Sequence, residues 1–112
     1  MSDGMYPTAT AELAKKRREL SGETEKAFQA FSQKVFAEGA LPVKVKQLIA
    51  VAVAHVTQCP YCIKGHTKAA LCHGASQEEL MEAIWVAAEM RAGGAFAHSA
   101  LALDEMNKSS AP

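Results

Sequence analysis

The sequence has no excess of charge of either sign: twelve Lys and Arg stand against twelve Asp and Glu in 112 residues. Without a net positive field nothing gathers a polyanion, so neither nucleic acid nor an anionic membrane surface is expected as a partner. The one basic cluster, Lys15-Lys16-Arg17-Arg18, is followed by Glu19 and Glu23 and reads as a solvated helix face. Long apolar runs are missing as well. The stretch MSDGMYPTATAELAKKRREL has no apolar segment behind a basic start. It therefore reads as neither a signal peptide nor a transmembrane anchor, and a cytoplasmic location is expected. Repeats, low-complexity tracts and long linkers are absent, which favours one domain over residues 1–112. No useful length alternates with period two, and this excludes a sheet.

What is present is helical periodicity. A first helix is expected from about Thr10 to Leu20, broken by Ser21-Gly22. A second places Phe28, Phe31, Val35 and Phe36 on one stripe and stops near Gly39. Pro42 suits the first turn of a third, in which QLIAVAVAHV (Gln47 to Val56) is apolar nearly all round and should be central and buried. The fourth starts near Cys59-Pro60 and ends at His73-Gly74. Ser76 and Glu79 form a capping box ahead of LMEAIWVAAEM. Gly93-Gly94 then separates off a last helix with Phe96, Ala100, Leu103 and Met106. The expected fold is all-α, a bundle of about six helices. Its apolar faces exceed what a chain of this size covers alone, so a homo-oligomer is expected.

All three cysteines and three of the four histidines fall between His55 and Gly74. Three thiols cannot all pair within one chain, and a reducing compartment disfavours structural disulfides, so close-spaced cysteines point to catalysis or metal. Cys59-Pro60-Tyr61-Cys62 is a C-x-x-C at a helix start. The unpaired backbone N–H groups and the positive end of the helix dipole stabilise a thiolate there. An ordinary thiol is only about 3% ionised at neutral pH, so this stabilisation matters for reactivity. His66 lies four residues after Cys62, on the same helix face, which sets a base beside a nucleophile. The two cysteines are one turn apart, close enough to form a disulfide where the first turn permits it. Such a group holds a thiol that attacks, a second that resolves and an imidazole that manages the proton.

The segment KQLIAVAVAHVTQCPYCIKGHTKAALCHGASQEELMEAIWVAA resembles the core of the carboxymuconolactone decarboxylase superfamily, in its alkyl hydroperoxidase D-like (AhpD-like) branch; the likeness runs from about Glu25 to Met106. The redox signature of that branch is a glutamate twelve residues before a C-x-x-C, then a histidine four after the second cysteine. Cys59, Cys62 and His66 fill three of those places. The resemblance implies that Cys62 meets the peroxide, that Cys59 is its disulfide partner and the sulfur open to an external dithiol, and that His66 belongs to the proton relay. It also implies an all-α homo-oligomer, usually a trimer or hexamer, reducing hydroperoxides with electrons from a dithiol or lipoyl-type donor and no bound cofactor or metal.

One position departs from the signature: Gln47, not glutamate, stands twelve residues before Cys59. Glutamine orients a water or an imidazole but accepts no proton. His55, four residues before Cys59, is a candidate substitute base, and His98 is a candidate to line the same pocket from its own or a neighbouring subunit, a hydrogen-bonded core histidine being the alternative for each. Tyr61 is a candidate donor to a peroxide oxygen, although packing is its expected role. Cys72, ten residues beyond Cys62, is too far for the same disulfide.

Three alternatives compete. His55, Cys59, Cys62 and His66 would suit tetrahedral zinc, but structural zinc usually serves chains without a core. Decarboxylation of a carboxylated lactone calls for arginine, histidine and carboxylate rather than a C-x-x-C. A non-enzymatic helical protein whose dithiol senses oxidation fits the missing glutamate.

Overall fold

The computed structural model describes residues 4–110. Among them are four α-helices and no strand: α1 (Ala11–Phe36), α2 (Val43–Thr57), α3 (Pro60–Cys72) and α4 (Gln77–Ser110). The all-α class holds. The count of six does not: the break expected at Ser21-Gly22 is present as a kink joining two helical segments within α1, and the one expected at Gly93-Gly94 is absent. The chain divides into two compact units, one reaching to Val43 and the other beginning at Lys44.

The first unit is built on α1. Thr10 caps it, its Oγ1 accepting from the Leu13 N–H at 3.2 Å. At Ser21 the backbone leaves helical geometry (φ −141°, ψ 31°) and α1 continues beyond it. The cause is local: the Ser21 hydroxyl donates to the Arg17 carbonyl at 2.8 Å, a back-bond that bends a helix without ending it. The helix stops at Phe36, ahead of Gly39, where Ala37 turns extended. Phe28 and Phe31 share a stripe with ring centroids 6.5 Å apart, yet no residue of α1 is buried.

In the second unit, α2 starts just after Pro42 and buries one face only, Gln47, Val51 and Ala54. Ile49, Val53 and Val56 on its other sides are exposed, so the expected all-round burial is corrected. An apolar circumference does not decide which neighbours exist. Here Val51 packs with Ala70 of α3, Ala75 of the following turn and Leu80 of α4, flanked by Leu48 and Ile84. These elements cover one side of α2. The small residues at the centre let the helices approach closely.

The α3–α4 turn follows the sequence pattern. Gly74 takes φ +91°, the left-handed conformation that glycine adopts at least cost. Ser76 Oγ accepts from the Glu79 N–H at 3.0 Å while Glu79 Oε1 accepts from the Ser76 N–H at 2.8 Å. Glu79 also pairs with Lys44 at 3.1 Å. The Ser76 N–H first, and the Lys44 ammonium second, hold the Glu79 carboxyl below its ordinary value.

Beyond the box, α4 runs through Gly93-Gly94 without interruption. Each interior glycine costs about 1 kcal/mol relative to alanine, and the Ala-rich, Leu-containing run around the pair offsets it. No helix of the described residues is long and apolar enough to cross a membrane.

Candidate functional site

The site is assembled where α2 ends and α3 begins. Gln58 adopts φ +59°, and the Cys59 N–H then reaches back to the Ala54 carbonyl at 3.1 Å, closing α2. From α4, Arg91 Nη1 donates to the Val56 carbonyl at 2.8 Å and satisfies another orphan acceptor of that helix end. The chain leaves this turn with Cys59 extended (φ −102°, ψ 104°) as the N-cap of α3 and Pro60 in the first turn.

Cys59 caps with sulfur. Its Sγ accepts from the Cys62 N–H at 3.2 Å, the place a serine or aspartate oxygen normally fills. Cys59 and Cys62 are joined as a disulfide with their Cα atoms 5.2 Å apart. Both lie half-buried at the positive end of α3, where a reduced sulfur finds backbone donors.

His66 follows one turn after Cys62 on the same face of α3. Its Nδ1 is 2.7 Å from Oε1 of Gln47 on α2, across 19 residues of sequence. Gln47 is the one buried polar residue among those described, at 7% exposure, and sits in line with Val51 and Ala54 on the core face. The position of the signature glutamate is thus joined to the histidine, but by a neutral oxygen. No carboxylate comes from nearby in sequence: from Val43 to Ser76 the chain has lysines and no Asp or Glu.

The remaining candidates are placed elsewhere. His55 is half-buried with Nδ1 bonded to the Val51 carbonyl at 2.8 Å, one turn back on its own helix. His98 is exposed and bonds the Gly94 carbonyl at 2.8 Å in the same manner. Tyr61 is 44% exposed in the first turn of α3, so close packing does not account for its whole ring. Cys72 is an exposed free thiol at the far end of α3. Among the described residues no three His, Cys, Asp or Glu side chains are gathered in a way that would hold a metal ion, so the zinc set is not assembled.

Two residues of the site carried no signal in the sequence. Gln58 is not a residue type that marks a left-handed turn. Arg91 lies 35 residues from the carbonyl it caps, and only the packed fold brings it there.

The sequence pattern of the carboxymuconolactone decarboxylase family matches residues 22–105. The chain belongs to that family. A Paracoccus denitrificans protein known as uncharacterized protein 4 in the cox locus is 57% identical over 103 residues, 92% of each chain. Among solved structures, a carboxymuconolactone decarboxylase family protein from Legionella pneumophila superposes with TM-score 0.67 at 36% identity, covering 89% of this chain and 88% of that one. Another family protein, from Thermotoga maritima and described as a candidate for the antioxidative response, gives TM-score 0.55 at 29% identity over 78% of this chain and 96% of its own.

Proposed function

We propose that this family member is an AhpD-like thiol-dependent peroxidase, working through Cys59, Cys62 and His66. The observation that carries the proposal is the sulfur pair at the N-terminus of α3, Cys59 accepting a backbone N–H and bonded to Cys62, with His66 one turn on. The antioxidative description of the Thermotoga relative points the same way.

In the reduced protein the Cys62 thiol gives its proton to His66, and the thiolate attacks the outer oxygen of a hydroperoxide. An S–O bond forms as the O–O bond breaks, and the leaving alkoxide takes the proton from the imidazolium, giving an alcohol and a sulfenic acid. Cys59 then attacks the Cys62 sulfenic acid. The disulfide forms and water leaves, and an external dithiol or lipoyl-type donor supplies the two electrons that restore both thiols. The protein works as one domain of the cytoplasm and needs no cofactor or metal for this cycle.

Assembly as a homo-oligomer, a trimer or hexamer, belongs to the same proposal. Its support is the amount of large apolar surface left open on α4, with Trp85 68%, Met90 63% and Phe96 82% exposed.

The test is turnover: the reduced protein is supplied with cumene hydroperoxide and dihydrolipoamide, and peroxide loss is followed. Consumption well above that of the Cys62→Ser protein is expected. Equal rates would overturn the proposal.

A further inference from the structure

We propose that Gln47 is a positioning residue that holds His66 as its Nδ1–H tautomer, so that the thiol proton of Cys62 is delivered to Nε2. The consequence for Cys62 rests on the peroxidase proposal; the tautomer itself does not. Oε1 of an amide is an acceptor only, so the hydrogen in the 2.7 Å contact belongs to Nδ1. A neutral ring with its proton on Nδ1 keeps its basic lone pair on Nε2. Because His66 and Cys62 are separated by one turn of α3, the basic nitrogen belongs to the ring that shares a face with the sulfur.

Burial explains why the glutamine is present at all. A polar side chain on the core face of α2 is costly unless it is bonded, and an apolar residue would pack there without that cost. No buried side-chain nitrogen or oxygen among the described residues lacks a partner, so this amide is satisfied where it lies. Its bond to the ring supplies orientation without charge: glutamine fixes the plane and the tautomer of the imidazole, as a carboxylate would, while accepting no proton. In the proposed cycle the proton taken from Cys62 is carried by His66 and returns from it to the leaving alkoxide, since Gln47 cannot accept it.

The experiment reads the ring directly. Two-bond 15N–1H correlation spectra of the wild-type protein at about pH 8.5, with the His66 signals identified by their loss in His66→Asn, are expected to show the Nδ1–H pattern. In Gln47→Met they are expected to revert to the Nε2–H form that dominates in an unrestrained imidazole, and Gln47→Glu, which keeps the acceptor oxygen, is expected to restore Nδ1–H. Oxidation of Cys62 by hydroperoxide should slow about tenfold in Gln47→Met, less than in His66→Asn. An Nε2–H pattern in the wild-type protein would overturn the proposal whatever the variants do. A wild-type Nδ1–H pattern in a protein inert to peroxides would leave the tautomer standing and remove the peroxidase reading instead.

Discussion

The turns at the two ends of α3 use the same backbone device, one closing α2 and the other closing α3 itself, and they differ in what occupies it. At the far end the Ala75 N–H reaches the Ala70 carbonyl at 2.9 Å across Gly74; at the near end the Cys59 N–H reaches the Ala54 carbonyl of α2 at 3.1 Å across Gln58. The residue between takes positive φ in both, +91° in the glycine and +59° in the glutamine. A glycine there is free of strain. A residue with a side chain pays about 1 kcal/mol. The strained turn is the one that sets a sulfur at a helix N-terminus, and the relaxed one carries Cys72, a lone exposed thiol. Strain and chemistry coincide at one end of the helix; ordinary turn chemistry and an unused thiol coincide at the other.

The largest expected effect breaks the comparison at its sulfurs. Cys62→Ser should abolish oxidation by hydroperoxide, whereas Cys72→Ser should leave the rate unchanged, since Cys72 lies about 15 Å along the helix from Cys62. A loss in both, measured by stopped-flow, would erase the distinction between the two ends. Next in size is the base. His66→Asn should slow the reaction about 100-fold, while a strong thiol oxidant such as diamide still joins Cys59 to Cys62; unchanged peroxide kinetics would remove His66 from the mechanism.

Smaller effects sharpen the comparison at its turns. Gly74→Ala should destabilise the protein by about 1 kcal/mol in urea unfolding, although a Cβ there meets nothing within 4 Å, because the penalty lies in φ and not in contact. Gln58→Gly should run the other way, gaining a few tenths of a kcal/mol after the added freedom of the unfolded chain is subtracted. If that variant also forms its disulfide more slowly, the strained residue is holding Cys59 in place.

The smallest effect concerns Glu79, which is capped by Ser76 and paired with Lys44. Its folded-state value lies below the ordinary one. Its contribution is complete above the unfolded value and is lost as pH falls through the folded value. Glu79→Gln should therefore lower stability slightly at neutral pH, converge with the wild type in acid, and so flatten the acid dependence of unfolding.

What the sequence made legible was local. The start of α3 at Pro60, its end at His73-Gly74 and the Ser76/Glu79 box all follow from residue types whose side chains act on their own turn. What it hid depended on competition or distance. The interruption read at Ser21-Gly22 is there, as a kink inside α1, whereas Gly93-Gly94 looks like a break but two glycines do not outweigh the helix formers of α4. Gln58 shows no turn signature. The join of Gln47 to His66 spans two helices; only the likeness to a family that places a glutamate there singled out the position, and the structure supplied the bond.

The most direct test of the central claim is stopped-flow oxidation of the freshly reduced protein by a hydroperoxide, with mass spectrometry locating the oxidised sulfurs. Rapid formation of a Cys59–Cys62 disulfide, with Cys72 left as a thiol, is the result expected. An unreactive pair, or oxidation confined to Cys72, would contradict it.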